Sequence, residues 1–176
     1  QLVYDLGAWP LTNVYAGTLT AADGALDTAN EVVWLDMDND GTVDQAAYYG
    51  LTGFETINAA ISGVDVGGTV HVAAETFAEG EIVVNKSLTL QGYDEATPAP
   101  VPGSPAPTPG PVGMSTIDVS GSDDGVTITA SNVTVDNFEI VGDDATGYGV
   151  YVEGDGVTPL SNITISDNKI HGMGLG

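Results

Sequence analysis

The sequence predicts an all-β protein, a parallel β-solenoid with three short strands per coil. Three observations lead there. The phrase "SNVTVDNFEIVG" (131–142) returns thirty residues later as "SNITISDNKIHG" (161–172). Short segments alternate apolar and polar residues, with Val, Ile and Leu on the apolar side, which is the period of a half-buried strand. Finally, 24 glycines in 176 residues break those segments with turns.

The elements follow in cycles of three. A first set is read as "TVHVA" (69–73), "STIDV" (115–119), "FEIV" (138–141) and "NKIH" (168–171). The second set is 82–84, 126–128 and 150–152, and the third is 88–90, 133–135 and 163–165. Ile117 and Ile140 are 23 residues apart and Ile140 and Ile170 are 30 apart, the excess falling in "EGDGVTPL" (153–160). Strands this short cannot hide an apolar face alone. Stacked at about 4.8 Å on their counterparts, they bury a continuous core. Alternation points Leu88, Leu90, Val126, Ile128, Val133, Val135, Val150, Val152, Ile163 and Ile165 inward. It points Thr89, Thr127, Thr134, Tyr151 and Thr164 outward.

The stretch "GFETINAAISGVDVGGTVHVAAETFAEGEIVVNKSLTLQG" resembles the opening of right-handed parallel β-helices of the pectin-lyase-like superfamily. There a short amphipathic helix precedes "GDTIYV"-like, "VVI"-like and "NKSLTLIG"-like strands. The resemblance covers 53–176 and implies a right-handed coil of about three to four turns. It also implies a cap helix at 54–61, with Phe54, Ile57, Ala60 and Ile61 on one face. That superfamily spans polysaccharide lyases, hydrolases, epimerases, adhesins and surface-layer proteins, so the likeness speaks to fold more than to activity.

Residues 1–52 show no coil repeat but hold Tyr4, Trp9, Tyr15, Trp34, Tyr48 and Tyr49, and are read as a small β-element. Within it, "DMDNDGTVD" joins two strand-like segments. Asp36, Asp38, Asp40 and Asp44 fall at loop positions 1, 3, 5 and 9, with Gly41 at 6 for the sharp turn. Alternate positions in a tight loop turn carboxylates toward one centre, and the carbonyl of Thr42 offers a further oxygen. Such a donor set suits Ca2+. Position 12 is Ala47, so the bidentate glutamate of an EF-hand is missing. The spacing instead resembles the calcium loops of integrin-type propeller repeats. Asp123, Asp124, Asp143 and Asp144 form a second acidic group, read as a solvated ridge.

Twenty-five acids stand against Lys86 and Lys169, a net charge of −23. This excludes nucleic acid, whose binding needs phosphate neutralisation. With no run long and apolar enough to span a bilayer, the balance points to a salty medium or divalent cations outside the cell. The chain begins at Gln1 and is read as a mature or trimmed product. It has no cysteine, and sequons stand at Asn85, Asn132 and Asn162. Seven of the nine prolines lie in the insertion at 93–113, read as an extended excursion.

Catalytic residues do not suggest themselves. There is no arginine, Lys86 lies in a turn, and Lys169 shares an outward column with Glu139. His71 and His171 are read on one outward face, three coils or roughly 14 Å apart. Asp118, between them, lacks a partner that would tune it for proton transfer. The expectation is an extracellular or cell-surface calcium-binding structural or adhesive protein, a subunit of a surface layer, sheath or filament assembled head-to-tail. The alternatives are part of a polysaccharide-active enzyme or a carbohydrate-binding module, with polysaccharide as the partner. Self-repulsion at this charge predicts a melting temperature that rises from millimolar to molar NaCl with calcium saturating. A flat thermal-shift series would show the charge to be harmless.

Overall fold

Strands with a β-branched residue at every second position pack best when like positions lie side by side, and several strands of this chain follow that pattern. The computed structural model describes residues 10–21, 24–26, 31–41, 43–93, 113–122 and 124–174. In chain order the strands are β1 (Asn13–Ala16), β2 (Leu19–Ala21), β3 (Val32–Leu35), β4 (Gln45–Tyr48) and β5 (Gly53–Phe54). The helix α1 (Ile57–Gly63) follows, then β6 (Thr69–Val72), β7 (Thr76–Phe77), β8 (Ile82–Val84) and β9 (Leu88–Gly92). After the insertion come β10 (Ser115–Asp118), β11 (Asp124–Ile128), β12 (Val133–Asp136), β13 (Phe138–Val141), β14 (Tyr148–Val152), β15 (Ile163–Ser166) and β16 (Lys169–His171).

These strands form four sheets. The largest is parallel, in the order β15-β12-β9-β6-β1-β5. A second parallel sheet runs β16-β13-β10-β7, and a third β14-β11-β8. The fourth, β2-β3-β4, is antiparallel.

The fold class predicted from the repeat, a right-handed parallel β-helix with three strands per coil, is therefore corrected. The chain is mostly β, but in several parallel and antiparallel sheets of six, four, three and three strands, and not a solenoid of equivalent coils. Two facts break the expected regularity. β1, from the first fifty residues, inserts into the largest sheet between β6 and β5. β6 itself pairs with β9, Val70 opposite Leu90, so "TVHV" does not align with "STID". The two-residue β7 pairs with β10 instead. His71 and His171 consequently lie on different sheets.

The repeated phrase acts through its turns. Asn132 and Asn162, just before β12 and β15, have φ of 57° and 56°, and Asn137 and Asp167, just after, have 64° and 52°. Asn and Asp enter this left-handed region at little cost. The two copies are also tied side to side. Asn162 donates from Nδ2 to Asn132 Oδ1 at 2.8 Å, and Ser166 from Oγ to Asp136 Oδ1 at 2.5 Å.

α1 begins three residues later than expected, because Thr56 caps it, accepting from the Ala59 N–H, while Phe54 belongs to β5. Ile57, Ala60 and Ile61 turn into the main core. Glu79 accepts the N–H groups of Ile57 (2.5 Å) and Asn58 (3.0 Å), negative charge at the positive end of the helix. At the other end Lys86 donates from Nζ to the carbonyls of Ser62 (3.1 Å) and Val64 (2.5 Å). Asn58 reaches from α1 to the edge of β8. Its Oδ1 accepts from Val83 N–H and its Nδ2 donates to the Glu81 carbonyl, as a neighbouring strand would.

The core of the parallel sheets contains Val14, Val70, Ile82, Leu90, Ile117, Val126, Ile128, Val133, Val135, Phe138 and Ile140, all wholly buried. The antiparallel sheet has a separate cluster around Leu35, Val33 and Met37, which meets the parallel sheets at Ala73. Of the residues assigned inward, Val152 and Ile165 are 42% and 44% exposed on the outermost strands. Thr127, assigned outward, is buried with an unpartnered hydroxyl. Ile128→Ala should cost about 2–5 kcal/mol in urea unfolding. Ile170→Ala, at a position 41% exposed, should cost under about 1 kcal/mol. Equal costs would mean that the outermost strands are packed as tightly as the interior.

Candidate metal centre

β3 and β4 pair antiparallel, with Leu35 opposite Gln45, and the segment between them is the aspartate loop. The N–H of Asp44 bonds the Leu35 carbonyl at 3.0 Å and closes the loop at its base. Inside it, Asn39 (φ 60°) and Gly41 (φ 91°) take left-handed conformations that fold the chain back on itself. Asp36 accepts the N–H groups of Asp40 (3.1 Å) and Gly41 (2.7 Å), and Asp38 accepts that of Asp40 (3.1 Å). These bonds orient the carboxylates of Asp36 and Asp38. One oxygen from each of Asp36, Asp38 and Asp40 lies within 4.8 Å of the others.

Asp44 sits deeper, 7% exposed, and its Oδ2 accepts the Met37 N–H at 2.9 Å. It faces the same electrostatic centre, since its charge acts on Asp38. Thr42 lies outside the described residues. The arrangement is costly without a counter-charge. Burial, then the charges of Asp44 and Asp40, push Asp38 from its ordinary 3.8 up to about 6, against the bond from the Asp40 N–H. Burial also raises Asp44, opposed by the N–H groups of Met37 and Asp38, with Asp36 and Asp40 adding repulsion. The donors are all hard oxygens, which suits calcium or magnesium over softer transition metals.

One contact of the loop was not visible in the sequence. Met37 is buried in the cluster of the antiparallel sheet, and its carbonyl accepts the Ala74 N–H at 2.8 Å. The same residue therefore binds the Asp44 carboxylate on one side and the turn after β6 on the other. Nothing in "DMD" marks a partner 37 residues away.

The other charged residues assemble differently. Lys169 Nζ lies 2.5 Å from Glu139 Oε1, and His171 Nε2 reaches the same oxygen at 2.8 Å. Hydrogen bonds from Lys169 and then His171 hold Glu139 below its ordinary value. Glu139 stands opposite Lys169 and Val141 opposite His171, so the histidine reaches the carboxylate on the diagonal. His71 stacks on Tyr15 at 5.3 Å and contacts Asn13 Oδ1 at 3.0 Å, and burial lowers its pKa. Among the described residues, neither histidine hydrogen-bonds a serine, a threonine or a second imidazole. Of the acidic ridge, Asp123 lies outside the described residues. Asp143 is engaged by the N–H groups of Ala145, Gly121 and Thr146, which lower its pKa. The insertion's residues 94–112 likewise lie outside the described residues.

No protein-family model matches this chain, and neither a characterised protein nor a solved structure is similar enough to it to count as a match.

The raised pKa of Asp38 has a definite sign. The folded state holds its proton more tightly than the unfolded chain, so without a cation this group weakens the fold as pH rises from about 4 through 6. Asp38→Asn removes that cost. It should raise the melting temperature in chelator at pH 7, do so less at pH 4, and lower it in excess calcium. A substitution that shifts melting equally in both media would mean that the carboxylate cluster has no bearing on cation binding.

Proposed function

We propose that this chain is a calcium-stabilised structural or adhesive protein that works outside the cell, as a subunit of a surface layer, sheath or filament. The observation that carries the reading is the convergence of the Asp36, Asp38 and Asp40 carboxylates, with the charge of the buried Asp44 acting on Asp38. Asp36, Asp38 and Asp40 would supply carboxylate oxygens to the ion, Thr42 a carbonyl, and Asp44 further negative charge. The ion's role is to neutralise a repulsive loop, fixing the hairpin and, through Met37, its seat on the parallel sheets. Kinship with the pectin-lyase-like superfamily stays within this proposal on the strength of the quoted phrases. The acidic surface fits a medium rich in salt and divalent cations.

Calcium that binds only the folded state stabilises it by about 2.7 kcal/mol at a hundredfold excess over its Kd. Calorimetric titration should therefore give a single site, and the melting temperature should rise with calcium and fall in chelator. Asp36→Ala should abolish both responses. An unchanged melting curve in excess chelator would falsify the calcium reading.

Assembly is the second part of the proposal. Val152, Ile165 and Ile170 are exposed on β14, β15 and β16, while their in-register neighbours Ile128, Val135 and Ile140 are wholly buried. An apolar layer flanked by strand edges favours contact with another polypeptide. A head-to-tail contact of this kind propagates into rings or filaments. With calcium and molar salt present, sedimentation should show association that Ile165→Lys suppresses. A monomer at all concentrations would remove the assembly and leave the calcium site standing.

A carbohydrate-binding role is the second reading. Tyr148, 59% exposed, stacks on Tyr151 at 5.3 Å, and such a pair suits the apolar face of a sugar ring. Retardation in gels containing polysaccharide, lost in Tyr148→Ala, would favour it over the structural role.

A further inference from the structure

We draw no further inference here: the strongest candidate, the apolar layer of Val152, Ile165 and Ile170 on the outer strands β14, β15 and β16, belongs to the assembly already proposed, and nothing in the structure shows what covers it.

Discussion

Parallel strands in exact register place like beside like, and the interior of this protein is a set of such columns. Ile82, Val126 and Val150 form one, and Val84, Ile128 and Val152 the next. Leu88, Val133 and Ile163 form another, with Leu90, Val135 and Ile165 beside them. Each side chain is buried chiefly by residues one layer away, so no single strand is stable by itself. The constraint reaches the outer face as well. Asn13, Thr69, Thr89, Thr134 and Thr164 stand in one row of the largest sheet, because a strand that fixes its inner register fixes its outer register too. It also decides the turns. A strand of four residues leaves no room for a gradual bend, and left-handed Asn or Asp at both ends of β12 and β15 supplies an abrupt one.

Columns of this kind need something different where they stop. On the side of β8 the last edge meets the Asn58 amide, while α1 lays Ile57, Ala60 and Ile61 over the core. The helix has only seven residues and would not persist in water alone. Side chains from the sheets hold it, with Glu79 at one end and Lys86 at the other. The antiparallel hairpin meets the parallel sheets through Ala73, the Met37–Ala74 bond and the pairing of β1 with β6.

Alternation made much of the interior legible. Val126, Ile128, Val133 and Val135 are wholly buried as their spacing implies, and the loop from Asp36 to Asp44 announced its carboxylates by position. What failed was the step from a local repeat to a global architecture. Two copies of one phrase suggested equal coils throughout. Yet β7 is two residues long, too short to leave a pattern, and "TVHV" was aligned with the wrong strands in consequence. β1 was unreadable for a related reason, since its partners lie about forty to sixty residues onward and its alternation does not name them. The contacts of Asn58, Met37 and His171 are equally non-local. They depend on which surfaces the finished sheets bring together, and a sequence window cannot hold that.

Lys86 has a consequence for how the protein meets its surroundings. Proteases of trypsin-like specificity need a basic side chain that can swing into their specificity pocket. This chain of 176 residues offers two, Lys86 and Lys169. The ammonium of Lys86 is tied to two helix carbonyls, and releasing it means loosening α1 from the core. Lys169 stands on an exposed strand, held by one carboxylate. The folded chain thus presents a digestive enzyme of that class with a single ready target, in β16, at the far side from the helix. With two lysines and no arginine, the folded chain gives a protease of that specificity little to cut.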